Sequence, residues 1–116
     1  MKEEKVYQME FSRIYPLLLN KVERKGRTRE ELDKVIGWLT GYGREELERL
    51  LRESVSCAQF FEQAPRWNEN WEKITGVVCG ARVEEIQAPL MRRIRCLDKL
   101  VDELAGGKPL EKVLRG

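Results

Sequence analysis

Five residues in one short segment carry the side chains or backbone freedom that chemistry needs: Thr75, Gly76, Cys79, Arg82 and Glu84. Arg82 could bind a carboxylate or phosphate in bidentate geometry. Cys79 could act as a nucleophile, because a nearby arginine favours the thiolate. Thr75 and Gly76 could begin a turn whose backbone N–H groups bind an anion. The segment therefore predicts a ligand-binding site centred on these five residues, without assigning a catalytic residue.

The composition excludes most reactions that such a site could support. The chain has no histidine, so Cys79 lacks the base of a papain-like pair. The segment also lacks the lysine and the full spacing of a phosphate-binding loop. Simpler interpretations are a buried structural cysteine and an exposed ion pair between Arg82 and Glu85. The sequence thus favours a non-enzymatic protein over an enzyme.

Metal and cofactor binding are not expected from the residue types. Without histidine, the candidate ligands are carboxylates, at Glu84, Glu85, Asp98 and Asp102. Asp98 and Asp102 lie one turn apart on a predicted helix, where salt bridges with neighbouring basic residues are the simpler account. No zinc or calcium spacing is present.

Two tryptophans suit a surface that contacts a partner. Trp67 and Trp71 are four residues apart beside the most loop-like segment of the chain, and tryptophan is enriched at binding surfaces. The alternative is that both rings cover an open edge of the core, near which Trp38 is expected as well.

Basic residues are concentrated in two stretches. Six basic residues and one acid lie between residues 13 and 29, and Arg92, Arg93, Arg95 and Lys99 follow later. If the two groups shared a face, they could bind a phosphate backbone. The net charge of +2 and the lack of a recognition-helix signature rank nucleic-acid binding last among the hypotheses.

Length and composition fit one domain without a membrane span. The chain has 116 residues, of which 41% are hydrophobic and 36% charged. No apolar run approaches the roughly 18 residues of a membrane helix. Cys57, Cys79 and Cys96 are an odd number without paired spacing, which predicts reduced thiols and a cytoplasmic protein.

Apolar spacing predicts helices along most of the chain. They cover Ser12–Lys25, Thr28–Gly41, Arg44–Glu53, a short stretch after Ser56, Leu90–Leu104 and a terminal turn after Lys108. Thr28 and Glu31 form a predicted capping box, and Pro16 is expected in a first turn. The Leu90–Leu104 helix has a heptad-type apolar seam, so we expect it at the centre of the bundle or at a dimer seam.

The segment at 74–86 fits either a helix or a strand. As a helix, it places Gly76 and Gly80 on one face, where another helix could approach closely. As a strand, Val77, Val78 and Cys79 form a buried run. Helix is preferred, because no second convincing strand occurs elsewhere to pair with it.

Several strings in one order also resemble a known bacterial family. They are KGRT at 25–28, WLTGY at 38–42, FFEQAP at 60–65, ITG at 74–76, RVEEI at 82–86, PLM at 89–91 and LDKLVDEL at 97–104. Over about residues 6–115 the chain resembles domain of unknown function 2200. The resemblance implies a bacterial cytoplasmic protein and carries over no site residue. The chain departs from the family pattern at 67–71, which is more aromatic here.

These observations predict an all-α fold, a compact bundle of about five or six helices. We expect one domain over residues 1–116, with a loosely ordered N-terminus at 1–10. The leading hypothesis is a protein-interaction or regulatory module that forms a homodimer or binds another protein. The alternatives are a small-ligand binder or enzyme with a pocket around Gly76–Arg82, and nucleic-acid binding through the basic stretches.

Overall fold

The computed structural model describes residues 3–115, and these are mainly helical. Its α-helices are α1 (Glu3–Gln8), α2 (Phe11–Glu23), α3 (Arg29–Thr40), α4 (Arg44–Arg52), α5 (Cys57–Glu62), α6 (Pro89–Ala105) and α7 (Leu110–Val113). The segment between α5 and α6 contains two short strands, β1 (Val77–Val78) and β2 (Ala81–Arg82). It also contains two 3-10 turns, at Glu69–Lys73 and Val83–Glu85. The structure is predominantly helical, which confirms the predicted all-α class. The described residues form seven α-helices, against the five or six expected.

Two helices begin at side-chain caps, and the cap at Thr28 is the capping box that the sequence predicts. At α3, Thr28 Oγ1 accepts from the N–H of Glu31 at 3.2 Å, and Glu31 Oε1 accepts from the N–H of Thr28 at 3.0 Å. At α5, Ser56 and Gln59 make the same reciprocal pair at 3.1 and 3.0 Å. Each pair satisfies two backbone donors that a helix start leaves open. The predicted capping box is confirmed.

The position predicted for Pro16 is wrong. Helix α2 begins at Phe11, one residue earlier than predicted, so Pro16 lies in its second turn, inside the helix. Proline removes the N–H that would otherwise bond to the Ser12 carbonyl. Phe11 stabilises this early start in two ways. Its N–H donates to the Val55 carbonyl at 2.9 Å, and its ring stacks on that of Phe60 with the ring centroids 3.7 Å apart.

Helix α6 lies at the centre of the fold. It packs against α2, α3, α5, α7 and the hairpin region. Its seam residues Ile94, Leu97, Val101 and Leu104 are each at most 6% exposed. The expectation that this helix is central is therefore correct. These four residues pack against other parts of the same chain, whereas Leu90 at the start of the seam is half-buried, and the homodimer stays a prediction.

The preference for a helix at 74–86 is wrong. Strands β1 and β2 form an antiparallel hairpin, with Val77 opposite Arg82 and Val78 opposite Ala81. The turn residues Cys79 and Gly80 both have positive φ, 53° and 79°, as a two-residue type I′ turn requires. The strand that pairs with β1 is therefore β2, which lies in the same segment. Val78 and Val83 face the core, with 6% and 0% exposure, and anchor the hairpin.

The single-domain prediction stays a prediction, supported by one contiguous cluster of buried residues. Residues 1, 2 and 116 of the expected domain lie outside the described residues. The loose order expected at 1–10 also stays a prediction; α1 lies there, with Val6 and Tyr7 half-buried against the core. Among the described residues, no helix is long and apolar enough to span a membrane.

Candidate functional site

The five predicted ligand-binding residues all belong to the hairpin and its flanks. Thr75, Cys79, Arg82 and Glu84 are exposed, and Gly76 is half-buried. The hairpin brings Gly76, Arg82 and Glu84 together, whereas Cys79 lies at the turn and contacts α6 instead. The ligand site stays a prediction, because these contacts describe the local fold and not an occupant.

Glu84 closes the base of the hairpin. Its Oε1 accepts from the N–H of Gly76 at 2.9 Å, and the Val83 N–H donates to the Gly76 carbonyl at 2.9 Å. Arg82 Nη1 lies 3.6 Å from Glu84 Oε2, so the arginine pairs with Glu84 rather than with the expected Glu85. The hydrogen bond from Gly76 lowers the pKa of Glu84, and the charge of Arg82 adds to this effect. The carboxylate therefore has a structural partner already.

The sequence predicts close helix packing at both Gly76 and Gly80, but the structure gives the two glycines different roles. At Gly76, φ is +109° and an added Cβ would lie 3.1 Å from Lys99 Cε of α6. Lys99 Nζ also donates to the Val77 carbonyl at 3.2 Å. Gly80 has φ +79° and no atom within 4 Å of an added Cβ. Only Gly76 is approached by a helix, and Gly80 supplies the turn.

Cys79 is the exposed cysteine of the chain, which contradicts the buried structural role given as the simpler interpretation. Arg95 Nη1 lies 3.6 Å from Cys79 Sγ and donates to Asp98 Oδ2 at 2.8 Å. Burial raises the pKa of Asp98, although its hydrogen bond from Arg95 acts in the opposite direction. The arginine thus joins the hairpin turn to α6.

The other two cysteines are buried inside the fold. Burial raises the pKa of the Cys57 and Cys96 thiols to about 12 each. Since the thiolate is the reactive form, neither thiol is suited to nucleophilic chemistry. All three cysteines are free. Within residues 3–115, no group of three or more histidine, cysteine or acidic side chains could hold a metal ion.

Trp67 and Trp71 form an edge-to-face pair that two arginines cover. The ring centroids are 5.6 Å apart at an interplanar angle of 77°. The Arg92 guanidinium lies 4.7 Å from the Trp71 ring centroid, and that of Arg93 lies 4.4 Å from the Trp67 centroid. Arg93 Nη1 also donates to the Phe61 carbonyl at 3.0 Å. Both rings are half-buried, so they combine packing on the core with partial access to solvent.

Trp38 joins this group through the backbone. Asn68 Nδ2 donates to the Trp38 carbonyl at 3.0 Å, and the Asn68 N–H donates to the Leu39 carbonyl at 2.9 Å. These bonds hold the loop with Trp67 against the end of α3. We call Trp38, Trp67, Trp71, Arg92 and Arg93 the tryptophan–arginine cluster.

The tryptophan–arginine cluster contains unsatisfied donors. In the part of the chain that the structure describes, three buried side-chain nitrogens have no hydrogen-bond partner: Trp38 Nε1, Trp67 Nε1 and Arg92 Nε. Trp67 and Arg92 lie in the stacked part of this cluster, whereas Trp38 is linked to it through the hydrogen bond from Asn68 to its backbone carbonyl. Indole and guanidinium nitrogens only donate, and buried donors in folded proteins nearly always have acceptors. The arrangement is therefore suited to an incoming group that supplies acceptors.

Sequence reasoning named Trp67 and Trp71 but missed the arginines above them. Arg92 and Arg93 were assigned to a basic stretch, whereas their guanidiniums stack on rings more than twenty positions earlier in the chain. Spacing within one helix carries no signal for such a contact. The hint available was that the two arginines lie in the first turn of a helix whose opposite side is apolar.

Two residues of the first basic stretch lie beside the C-terminal half of α6. Lys21, near the end of α2, pairs with Asp102 at 3.2 Å, and Arg27 donates to the Lys108 carbonyl at 3.0 Å. Arg92 and Arg93 are near the start of α6, whereas Arg95 pairs with Asp98, whose pKa burial raises although the charge of Lys21 acts to lower it. Nucleic-acid binding stays a prediction.

Comparison with known proteins places the chain in a family. The family described as "Uncharacterized protein conserved in bacteria (DUF2200)" matches residues 5–115. A structure described as "Crystal structure of uncharacterized protein SP1917" is 46% identical, with a TM-score of 0.92, and the match covers 97% of this chain and 93% of that one. The search of curated proteins finds no match. The chain therefore belongs to the bacterial family DUF2200.

Proposed function

We propose that this chain is a protein-interaction module that binds an acidic segment of a partner protein through the tryptophan–arginine cluster. The observation that carries the proposal is the set of unpaired donors at Trp38, Trp67 and Arg92. Because every unpaired group is a donor, the occupant must supply acceptors, and carboxylates are the strongest side-chain acceptors. Tryptophan and arginine are also the residue types that dominate binding energy at protein interfaces.

The energies favour opening of the cluster by an acceptor-rich segment. The three nitrogens are shielded, and at Trp67 and Arg92 an occupant reaches them after an arginine moves off its ring. Loss of one cation–π contact costs about 0.5–2 kcal/mol. An unsatisfied buried donor costs about 1–3 kcal/mol, and the cluster has three of them. Satisfying these donors therefore offsets the loss of both cation–π contacts.

Calorimetric titration with short peptides tests the proposal. The probe is a hexaglutamate peptide, with hexaglutamine and hexalysine peptides of the same length for comparison. We expect saturable binding of hexaglutamate that weakens with salt, weaker binding of hexaglutamine and none of hexalysine. The Trp67→Phe variant keeps an aromatic ring but removes one unpaired donor, and should weaken hexaglutamate binding about tenfold or more.

Trp71→Phe is the matched control. It also replaces an indole in the cluster, but its nitrogen is not among the unpaired atoms. We expect it to change affinity much less than Trp67→Phe. Equal effects of the two variants, or no hexaglutamate binding, would overturn the proposal. So would a homodimer in sedimentation that Trp67→Phe dissociates, because a second copy would then be the occupant.

We also propose that the protein acts in the cytoplasm. The chain has an odd number of cysteines, and all of them are free. Two of the thiols are buried and have a raised pKa, so they form little of the thiolate that disulfide formation requires. Fractionation of cells expressing the native chain, followed by thiol labelling without reductant, should recover it in the cytoplasm with three free thiols. Recovery outside the cytoplasm would contradict this part of the proposal.

A further inference from the structure

A groove separate from the tryptophan–arginine cluster lies between α3 and α4. Its volume is about 510 Å³, and it follows the sharp turn at 41–43 that joins the two helices. Pockets for small ligands commonly have volumes of about 300–1,000 Å³. The size of the groove therefore suits a small molecule.

The floor of the groove is apolar and rigid. Tyr42 and Leu47 line it and are 8% and 4% exposed. The Tyr42 hydroxyl donates to the Phe60 carbonyl at 2.7 Å, so it is engaged away from any ligand and the ring is fixed. This floor offers an aromatic and an aliphatic surface to an apolar side chain.

The rim of the groove carries equal numbers of both charges. Three basic and three acidic side chains line it: Arg29, Lys34, Arg44, Glu30, Asp33 and Glu48. Arg44 Nε lies 3.7 Å from Glu48 Oε2, and Arg29 Nε lies 3.8 Å from Asp33 Oδ2. These separations exceed hydrogen-bond length, so Arg44 keeps N–H donors for an incoming carboxylate, whereas Arg29 also lies over the Tyr15 ring, 5.5 Å from its centroid.

We infer that the α3–α4 groove binds a small zwitterion with an apolar side chain, namely a free amino acid or a short peptide. A purely anionic or purely cationic ligand would meet three like charges on the rim. A zwitterion places its carboxylate on Arg44 and its ammonium group near Glu48. The apolar side chain then rests on Tyr42 and Leu47.

The test is a titration of the ¹⁵N-labelled full chain with L-phenylalanine and L-leucine, observed through backbone amide shifts. The uncharged comparison ligand is N-acetyl-phenylalanine amide, which keeps the ring and lacks both charges. We expect saturable shifts at residues 42–48 with the free amino acids at millimolar concentration, and much smaller shifts with the amide. Arg44→Gln and Glu48→Gln should each weaken binding about two- to fivefold, as loss of one exposed charge contact predicts.

Arg49→Gln is the matched control, because Arg49 forms a comparable pair with Glu53 on the same helix at 3.3 Å and does not line the groove. It should leave the affinity unchanged. Absence of shifts at 42–48, equal binding of the amide, or equal weakening by Arg49→Gln would overturn the inference. None of these outcomes depends on the tryptophan–arginine cluster.

Discussion

At the scale of single residues, the hairpin turn places a cysteine where asparagine or glycine is usual. Cys79 has φ 53° and is the residue other than glycine with positive φ among those that the structure describes. This conformation is unfavourable for most side chains, and asparagine tolerates it best. The sequence could not reveal the turn, because Cys-Gly is not one of the common hairpin pairs, whereas Asn-Gly is the strongest such signal.

Replacement of this cysteine should therefore stabilise the fold. We expect Cys79→Asn to raise the free energy of unfolding by about 0.5–1 kcal/mol, because Asn-Gly prefers the type I′ turn. Urea denaturation measures the change. Val77→Thr on the exposed face of β1 is the control and should stay within about 0.5 kcal/mol of the parent. A loss of stability in Cys79→Asn would contradict the assigned turn.

Asp98 gives a pH-dependent prediction. Burial raises its pKa in the folded chain despite the hydrogen bond from Arg95. A raised folded-state pKa means that the protonated form is favoured on folding. The resulting stability is present below the unfolded-state pKa and is lost as the pH rises through the folded-state pKa. Asp98→Asn mimics the neutral form, so its stability relative to the parent should increase as the pH rises from about 4 toward neutrality.

Urea denaturation of both proteins at a series of pH values measures this difference. A difference that favours the parent as the pH rises would show that Arg95 and not burial determines the ionisation of Asp98, and a difference that is independent of pH would show that the two effects balance.

At the scale of elements, most of the helices were predictable, whereas α1 and the hairpin were not. The ends of α3 and α5 follow from Thr28 and Ser56, because a cap is a contact between residues three apart. The hairpin was read as a helix because two-residue strands are too short to show an alternating pattern. The sequence pattern therefore predicted a helix start correctly where contacts between residues close in the chain determine it.

The Thr28 cap gives a prediction at this scale. Thr28→Ala removes the acceptor for the Glu31 N–H and should lower the free energy of unfolding by about 0.5–2 kcal/mol. Thermal and urea unfolding measure the loss. Thr75→Ala is the control, because Thr75 is exposed and caps no helix. Equal effects of the two substitutions would mean that the cap does not stabilise α3.

At the scale of the whole molecule, α6 organises the core and the candidate surfaces. The spacing of its apolar residues predicts a buried face, but it does not predict whether that face packs against the same chain or against another copy. Most of the seam is buried within the chain, where α6 packs against α2, α3 and α5, and the homodimer stays a prediction. The cluster at the start of α6 depends on contacts such as that between Trp71 and Arg92, which periodicity cannot predict.

Core and surface leucines should therefore differ sharply. Leu97→Ala in the seam, at 2% exposure, should cost about 2–5 kcal/mol, whereas Leu17→Ala on α2, at 63% exposure, should cost little. Urea denaturation provides the comparison at several protein concentrations. A stability of the parent that rises with protein concentration, and that loses this dependence in Leu97→Ala, would instead place the seam in a dimer contact.

The central claim is that the tryptophan–arginine cluster lacks acceptors until a partner supplies them. The indole N–H signals of ¹⁵N-labelled protein report on this directly, because each tryptophan contributes one signal. On addition of hexaglutamate, the Trp38 and Trp67 signals should move downfield, as expected for new hydrogen bonds, while hexalysine leaves them in place. Signals that already lie at hydrogen-bonded positions in the free chain and do not respond to hexaglutamate would contradict the account.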